Sequence, residues 1–411
     1  MSDCFSAPGL LPFDKALQNM LSQITPVCET INLAIEHAMG FVLASDITSP
    51  LNVPNHDNSA MDGYAFALDS LQQSKTLTLV GRSMAGAPFQ GTCKLGQCVR
   101  IMTGAKIPLD CDSVEMQENV EMHDDKATFL TEKQLGSHVR KAGEDIKIGQ
   151  KVLTKGHKIS AVDLGILASL GVNSVCVYRK LTVAIIATGD ELKLPGQTLS
   201  SGDIYESNSF VLRGMLEKLS VEVINFGVIA DDFDAIKATF ISADKQADAV
   251  ISIGGVSVGD ADYTKTVLQD LGEIGFWKIA MKPGKPFAFG KLPNSVFFGL
   301  PGNPVSALVT FHQLALVALT QMQNSQPLKR TILQAKCAGD LRKSPGRMDF
   351  QRGLLSVNEQ GETIVASTGS QGSGILSSLV NANCFIVLAA EQGKVNAGEI
   401  VTVQLFDEYL N

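Results

Sequence analysis

The chain has 411 residues, more than one compact core usually supports, so two to four domains are expected. Its net charge of −8 argues against broad nucleic-acid binding, which needs a basic surface to neutralise phosphates, so an anionic ligand must meet a local basic pocket. With 45% apolar and 18% charged residues the composition is that of a packed globular protein, and no run of about eighteen uncharged apolar residues marks a membrane span.

Residues Met1-Ser-Asp-Cys-Phe5 lack the basic start and apolar stretch of a signal peptide, so a cytoplasmic location is expected. From Pro12 to Leu43 the pattern reads helical, Phe13, Ala16, Leu17, Met20, Leu21 and Ile24 recurring at three and four, with a second helix expected over Ile31 to Met39. The turn formers of Ser49 to Asn58 end that region. Short β-prone runs follow at Leu77 to Val80, Gln97 to Met102, Ser113 to Met116 and Ala127 to Leu130, a small β-module ending near Ser137. A helix at Ala161 to Leu170 and a strand at Ser174 to Tyr178 come next, in a piece able to pack back on the N-terminal helices. The eight scattered cysteines, with no Cys-x-x-Cys pair, read as reduced and mostly buried thiols.

At Leu181 the pattern changes. Strands at Leu181 to Ala187, Val221 to Phe226 and Ala249 to Ile253 alternate with helices at Ser207 to Leu219, Asp234 to Ala243 and Thr264 to Leu271. Such alternation predicts βαβ units and a mostly parallel sheet over about 180 to 325. Beyond the apolar helix Val305 to Met322, short strands at Thr331 to Ala335, Phe350 to Leu354, Thr363 to Ala366, Cys384 to Leu388 and Ile400 to Leu405 predict a closing β-module.

In open α/β sheets ligands lie beyond the carboxyl ends of the strands, so the loops there carry the candidate chemistry. Thr188-Gly-Asp-Glu191 projects two carboxylates from a tight turn, and Ala230-Asp-Asp232 precedes a helix, where aspartate is also an ordinary N-cap. The loop from Gly254 and Gly255 through Ser257 to Asp260, Asp262 and Lys265 is the least turn-like. Its glycines let backbone N–H groups approach an anion while the aspartates suit a hard cation. Lys278-Ile-Ala-Met-Lys282-Pro-Gly-Lys285-Pro supplies ammonium groups on a restricted backbone, and Leu300-Pro301-Gly-Asn-Pro304-Val-Ser306 opens the apolar helix, whose first-turn N–H groups would stabilise an oxyanion. Together these suit a metal-bridged phosphate ligand.

Two look-alikes fail. Gly255-x-Ser257-x-Gly259 matches a hydrolase nucleophile elbow, but the only later histidine, His312, sits in an apolar helix; Gly284 and Gly290-Lys291 have the wrong spacing for a phosphate-binding P-loop. Outside this region, the loops around Asp57 to Tyr64, Arg100 to Ala105 and Arg140 to Ile146 read by pattern as solvated turns.

The strings Asn58-Ser-Ala-Met-Asp-Gly-Tyr-Ala65, Arg140-x-x-Gly-Glu-Asp145, Thr188-Gly-Asp-Glu191, Gly254-Gly-Val-Ser-Val-Gly-x-x-Asp-Tyr263, Lys282-Pro-Gly-Lys-Pro286 and Leu300-Pro-Gly-Asn-Pro304 resemble, in order and over essentially the whole chain, the MoeA family, which includes the gephyrin E-domain. The resemblance is to the stand-alone bacterial form. It implies a multidomain α/β plus β protein: a discontinuous N-terminal domain (1–52 and 140–178), a small β-module (53–139), a MogA-like α/β domain (179–327) and a C-terminal β-barrel (328–411).

The resemblance also implies molybdopterin molybdenumtransferase activity. Adenylylated molybdopterin and molybdate would react with Mg²⁺ to give molybdenum cofactor and AMP, in a homodimer whose subunits share each site. It assigns Asp62, Thr103, Asp145, Glu191, Asp231 and Lys278 to catalysis and Glu191 and Asp262 to the metal. Arg140, Gly254, Gly255, Ser257, Lys282, Lys285, Pro301, Pro304, Ser306, Arg352 and Ser373 would bind substrate. Transient contacts with other molybdenum cofactor proteins are expected, and no nucleic acid or membrane. Two readings compete: a molybdopterin carrier without chemistry, and a molybdopterin adenylyltransferase.

Overall fold

The computed structural model describes residues 9–255 and 263–410. The chain forms two compact units, one of residues 32–39 and 43–176, the other of the remainder. The divide falls inside the expected N-terminal domain, at Ile31, and the helix Phe13–Leu21 packs with the second unit. There the Phe13 ring meets Phe350 edge-on at 5.6 Å, and Gln321 donates to the Leu21 carbonyl (3.1 Å). The second expected helix is a correction: Thr30–Ala34 is a strand followed by a single 3-10 turn, Ile35–His37. Thr30 and Ile31 are β-branched and favour extended backbone, and the segment pairs with the strand Ser174–Tyr178.

The smaller unit is built on a six-stranded sheet ordered Ser113–Met116, Gly63–Phe66, Gln97–Ile101, Thr76–Ser83, Lys126–Phe129 and Val120–His123. Ala65, Val99, Ile101 and Val114 pack one cluster against it, and Phe66, Leu77 and Phe129 another. Two strands beyond those expected, Gly63–Phe66 and Val120–His123, complete the sheet.

In the larger unit, β1 (Thr182–Thr188), α1 (Asn208–Leu219), β2 (Glu222–Ile229), α2 (Phe233–Gln246), β3 (Ala249–Ile253) and α3 (Tyr263–Leu271) alternate as expected. They continue into β4 (Glu273–Lys278), β5 (Pro286–Lys291) and β6 (Val296–Leu300). The sheet order is β2-β1-β3-β6-β5-β4, with the first four parallel and β5 antiparallel to both of its neighbours. Both faces are covered by apolar clusters, so β1 and β3 are buried almost along their length. Helix α4 (Pro304–Met322), with a π-turn at Phe311–Ala315, is the one helix among the described residues long and apolar enough to cross a membrane, but 89% of it is buried in the core.

The chain ends in β7 (Ile332–Cys337), β8 (Met348–Val357), β9 (Thr363–Ser367), β10 (Cys384–Leu388) and β11 (Ile400–Leu405). Pairing runs β8-β9-β7-β11-β10 and closes from β10 back to β8, a five-stranded barrel filled by Val365, Ile386, Val403 and their neighbours.

Candidate active site

The carboxyl ends of β1, β2, β3 and β6 open on a cavity of about 570 Å³, within the usual size of a small-ligand site. Thr188 lines it from the end of β1 and Glu191 from the loop that follows, Asp231 from the loop after β2, Gly254 and Gly255 from that after β3, and Pro304 from the start of α4. Five residues assigned by sequence therefore meet on one wall or another: Glu191, Asp231, Gly254, Gly255 and Pro304.

The acidic loops are tied together, the Asp231 N–H donating to Asp190 Oδ1 (3.0 Å). Burial, and then the charges of Asp190 and Glu191, push the Asp231 carboxyl above the ordinary aspartate value. Negative charge is crowded here, which a cation would relieve. Among the described residues no three His, Cys, Asp or Glu side chains form a metal cluster. Mg²⁺ needs no such cage: it binds through one or two carboxylates together with substrate phosphates and water, and the crowded carboxylates fit that demand.

At Gly255 the backbone has φ +66°, and a Cβ would stand 2.4 Å from Thr264 Oγ1 in the first turn of α3. Only glycine lets the loop rest on that helix. Ser257 and Asp262 lie outside the described residues.

The three lysines stand at the same rim of the sheet but not on the cavity wall. Lys278 ends β4 opposite Pro286, the first residue of β5, and is exposed, as is Lys285. Lys282 reaches Asp349 of β8 at 3.4 Å, a carboxylate only 3% exposed. The same carboxylate acts electrostatically on Lys343, a residue the sequence analysis did not single out. Lys343 is buried, and burial pushes its ammonium below the ordinary lysine value while Nζ donates to the Gln392 carbonyl (2.9 Å).

The start of α4 offers fewer free donors than its sequence suggests. Pro304 has no N–H, the Val305 N–H is taken by the Ser373 carbonyl (2.9 Å), and that of Ala307 by the Asn303 carbonyl (2.9 Å). Pro301 and Ser306 are buried and lie off the cavity wall. Ser373 thus meets the α4 terminus through its backbone. Arg352, 1% exposed inside the barrel wall, holds Ser373's loop: Nε donates to Ser378 Oγ (3.0 Å) and Nη2 to the Gly372 carbonyl (3.1 Å).

Sequence reasoning missed Asn208, which lines the cavity and donates to the Gly302 carbonyl (2.7 Å). Neighbouring Glu206 is buried and receives the Ser209 N–H (2.8 Å), capping α1. The acidic residue just ahead of an amphipathic run was the available signal.

In the smaller unit, loops far apart in sequence converge. Asp62 Oδ1 accepts the N–H and the Oγ1–H of Thr103, both at 2.7 Å, and these bonds hold its carboxyl below the ordinary value. Arg140 pairs in register with Asn58, the Asp145 N–H donates to the Val53 carbonyl (3.1 Å), and Lys141 and Asp57 form an ion pair at 2.8 Å. The side chains of Thr103, Arg140 and Asp145 are exposed.

Three family models match in succession: the MoeA N-terminal region (domain I and II) over residues 11–171, a probable molybdopterin binding domain over 184–321, and the MoeA C-terminal region (domain IV) over 334–406. A molybdopterin molybdenumtransferase of Haemophilus influenzae is 48% identical over 403 residues, covering 98% of this chain and 100% of that protein. A gephyrin of Dictyostelium discoideum is 32% identical over 96% of this chain and 62% of its own length. Among solved structures, a molybdopterin biosynthesis MoeA protein from Pyrococcus horikoshii superposes with a TM-score of 0.84 at 31% identity, covering 97% of this chain and 100% of that one. With end-to-end identity at this level and the same succession of regions, the chain belongs to the MoeA family.

Proposed function

We propose that this protein transfers molybdenum from molybdate to adenylylated molybdopterin with release of AMP, in molybdenum cofactor biosynthesis. The observation that carries the reading is full-length identity of 48% to a molybdopterin molybdenumtransferase, joined to an acidic cavity at the carboxyl rim of the parallel sheet.

Glu191 and Asp262 would hold Mg²⁺, which supplies neutralising charge for the phosphate oxygens. Asp231, whose carboxyl is raised by burial and by the charges of Asp190 and Glu191, stands beside Glu191 on the cavity lining as the candidate acid. Gly254 and Gly255, on the cavity lining, and Ser257 would receive the phosphate. Lys278, Lys282 and Lys285 offset the charge of the oxyanions, and Pro301, Pro304 and Ser306 shape the turn that faces them. Arg352 acts by holding the loop of Ser373 against α4. The protein works as a cytoplasmic homodimer in which Asp62, Thr103, Arg140 and Asp145 of a second copy complete the site, in transient contact with other proteins of the pathway.

The test is to incubate purified protein with adenylylated molybdopterin, molybdate and Mg²⁺ and follow AMP and cofactor formation. Binding without AMP would make it a carrier, and ATP-dependent adenylylation of molybdopterin an adenylyltransferase; either result ends the transferase reading.

A further inference from the structure

Two tyrosines line the cavity and take no part in the chemistry described above: Tyr205, just ahead of α1, and Tyr263, the first residue of α3. They are 46% and 47% exposed. A tyrosine carries a large apolar face, and leaving two half-open on one cavity forgoes burial that a ligand could supply.

Both rings are held by other contacts. The Tyr205 hydroxyl donates to the Gln197 carbonyl at 2.8 Å, and the Tyr263 ring meets Phe233 at 6.5 Å with the planes at 81°. The ordering cost that a stacking ligand normally incurs is thereby reduced in advance. Exposed Ile204 and the partly buried Leu192 join the two rings in the lining as apolar surface, whereas Glu191, Asp231 and the Gly254-Gly255 turn make it polar. An amphiphilic ligand, phosphate at one end and flat ring at the other, matches that division.

We propose that Tyr205 and Tyr263 form the wall on which the substrate stacks a planar nitrogen heterocycle. This rests on the transferase reading, whose substrate carries two such rings, adenine and pterin, separated by phosphates. The tyrosines are specificity and positioning residues: they grip the substrate away from the reacting bond, equally in ground and transition states.

The experiment is calorimetric titration of the full chain, in Mg²⁺, with AMP and separately with 6-carboxypterin. Wild type is compared with Tyr205→Ala, Tyr263→Ala and the two phenylalanine variants. Each alanine variant is expected to weaken one probe by about ten- to hundredfold, with phenylalanine restoring affinity to within about threefold, since stacking needs the ring and not the hydroxyl. The probe affected identifies the ring that the wall takes. In turnover KM rises while kcat holds. Wild-type affinity for both probes in both alanine variants would overturn the stacking wall alone. A wild-type protein that binds neither probe would overturn the wall together with the transferase reading of this cavity. Equal losses in alanine and phenylalanine variants, matched by a fall in thermal stability, would overturn it in favour of a structural role.

Discussion

Replacing Gly284 with alanine tests whether the lysine turn is seated by backbone packing. Gly284 has φ +100°, and a Cβ there would stand 2.2 Å from Thr310 Oγ1, with Met281 Cε next at 3.5 Å. Thr310 is fully buried in α4, and its hydroxyl has no hydrogen-bond partner among the described residues. A left-handed alanine costs about 1–2 kcal/mol in backbone strain. Forcing an atom into a filled core adds about 1–3 kcal/mol. Gly284→Ala should therefore lose about 2–5 kcal/mol, a drop in Tm of roughly 5–15 °C for a unit of this size. Thr310→Ala removes the atom at 2.2 Å and leaves only contacts of 3.5 Å or more. Alone it should be close to neutral, because the methyl it loses is offset by removing an unpaired buried hydroxyl. In the Gly284→Ala background it should recover the steric share but not the strain, a coupling of about 1–3 kcal/mol in a double-mutant cycle. Scanning calorimetry of the four proteins measures it. If Gly284→Ala unfolds with wild type, or Thr310→Ala restores nothing, the turn is not seated by this contact.

Other expectations follow from charge. The Asp231 carboxyl is raised in the fold, so stability is fully present below the ordinary aspartate value and falls as pH rises through the raised one. Asp231→Asn should therefore raise the Tm of the Mg²⁺-free protein at neutral pH, and a pH series of thermal melts should show the gain vanish in acid. Asp62 titrates below the ordinary value because of two bonds from Thr103, so Thr103→Val, which removes the hydroxyl bond, should move its carboxyl-carbon NMR titration upward with the fold unchanged. Arg352→Ala removes two hydrogen bonds and buried packing, at a cost of about 2–4 kcal/mol. Because Ser373 takes the Val305 N–H, that amide should exchange with deuterium faster in the variant.

Strands such as Ser113–Met116, Ala249–Ile253 and Cys384–Leu388 were legible to the residue, because each short β-prone run starts just after a turn former, Asp112, Asp248 or Asn383. Strand β5 was not. It begins at Pro286 and contains Gly290, both marks against a strand, and its Phe287, Ala288 and Phe289 are all buried, so no alternation announces it. His312 was read as structural, and it is: fully buried, with Nε2 2.8 Å from Asp407 and a pKa pushed down by burial. The loops at Asp62, Thr103 and Arg140 read as separate solvated turns because nothing local reports that Asn58 pairs with Arg140 or that Asp62 bonds Thr103. Non-local pairing leaves no trace in spacing, and only the resemblance to a known family singled those residues out.

Functional loops of an open parallel sheet follow its strands, yet β5 runs against its neighbours and Lys278, Lys282 and Lys285 all precede it. The lysines still reach the carboxyl rim because direction is reversed twice. Strand β5 is antiparallel to β6 and β4 is antiparallel to β5, so β4 ends at the same rim as β6. The register places it there: Ala288 lies opposite Gly299, near the carboxyl end of β6, and Pro286 lies opposite Lys278. The segment from Lys278 to Lys285 is therefore a rim loop in the same sense as Thr188 to Glu191, although one precedes an antiparallel strand and the other follows a parallel one. An odd number of reversals would have carried the ammonium groups to the opposite rim, some five residues of extended chain away from Asp231, beyond the reach of a lysine side chain.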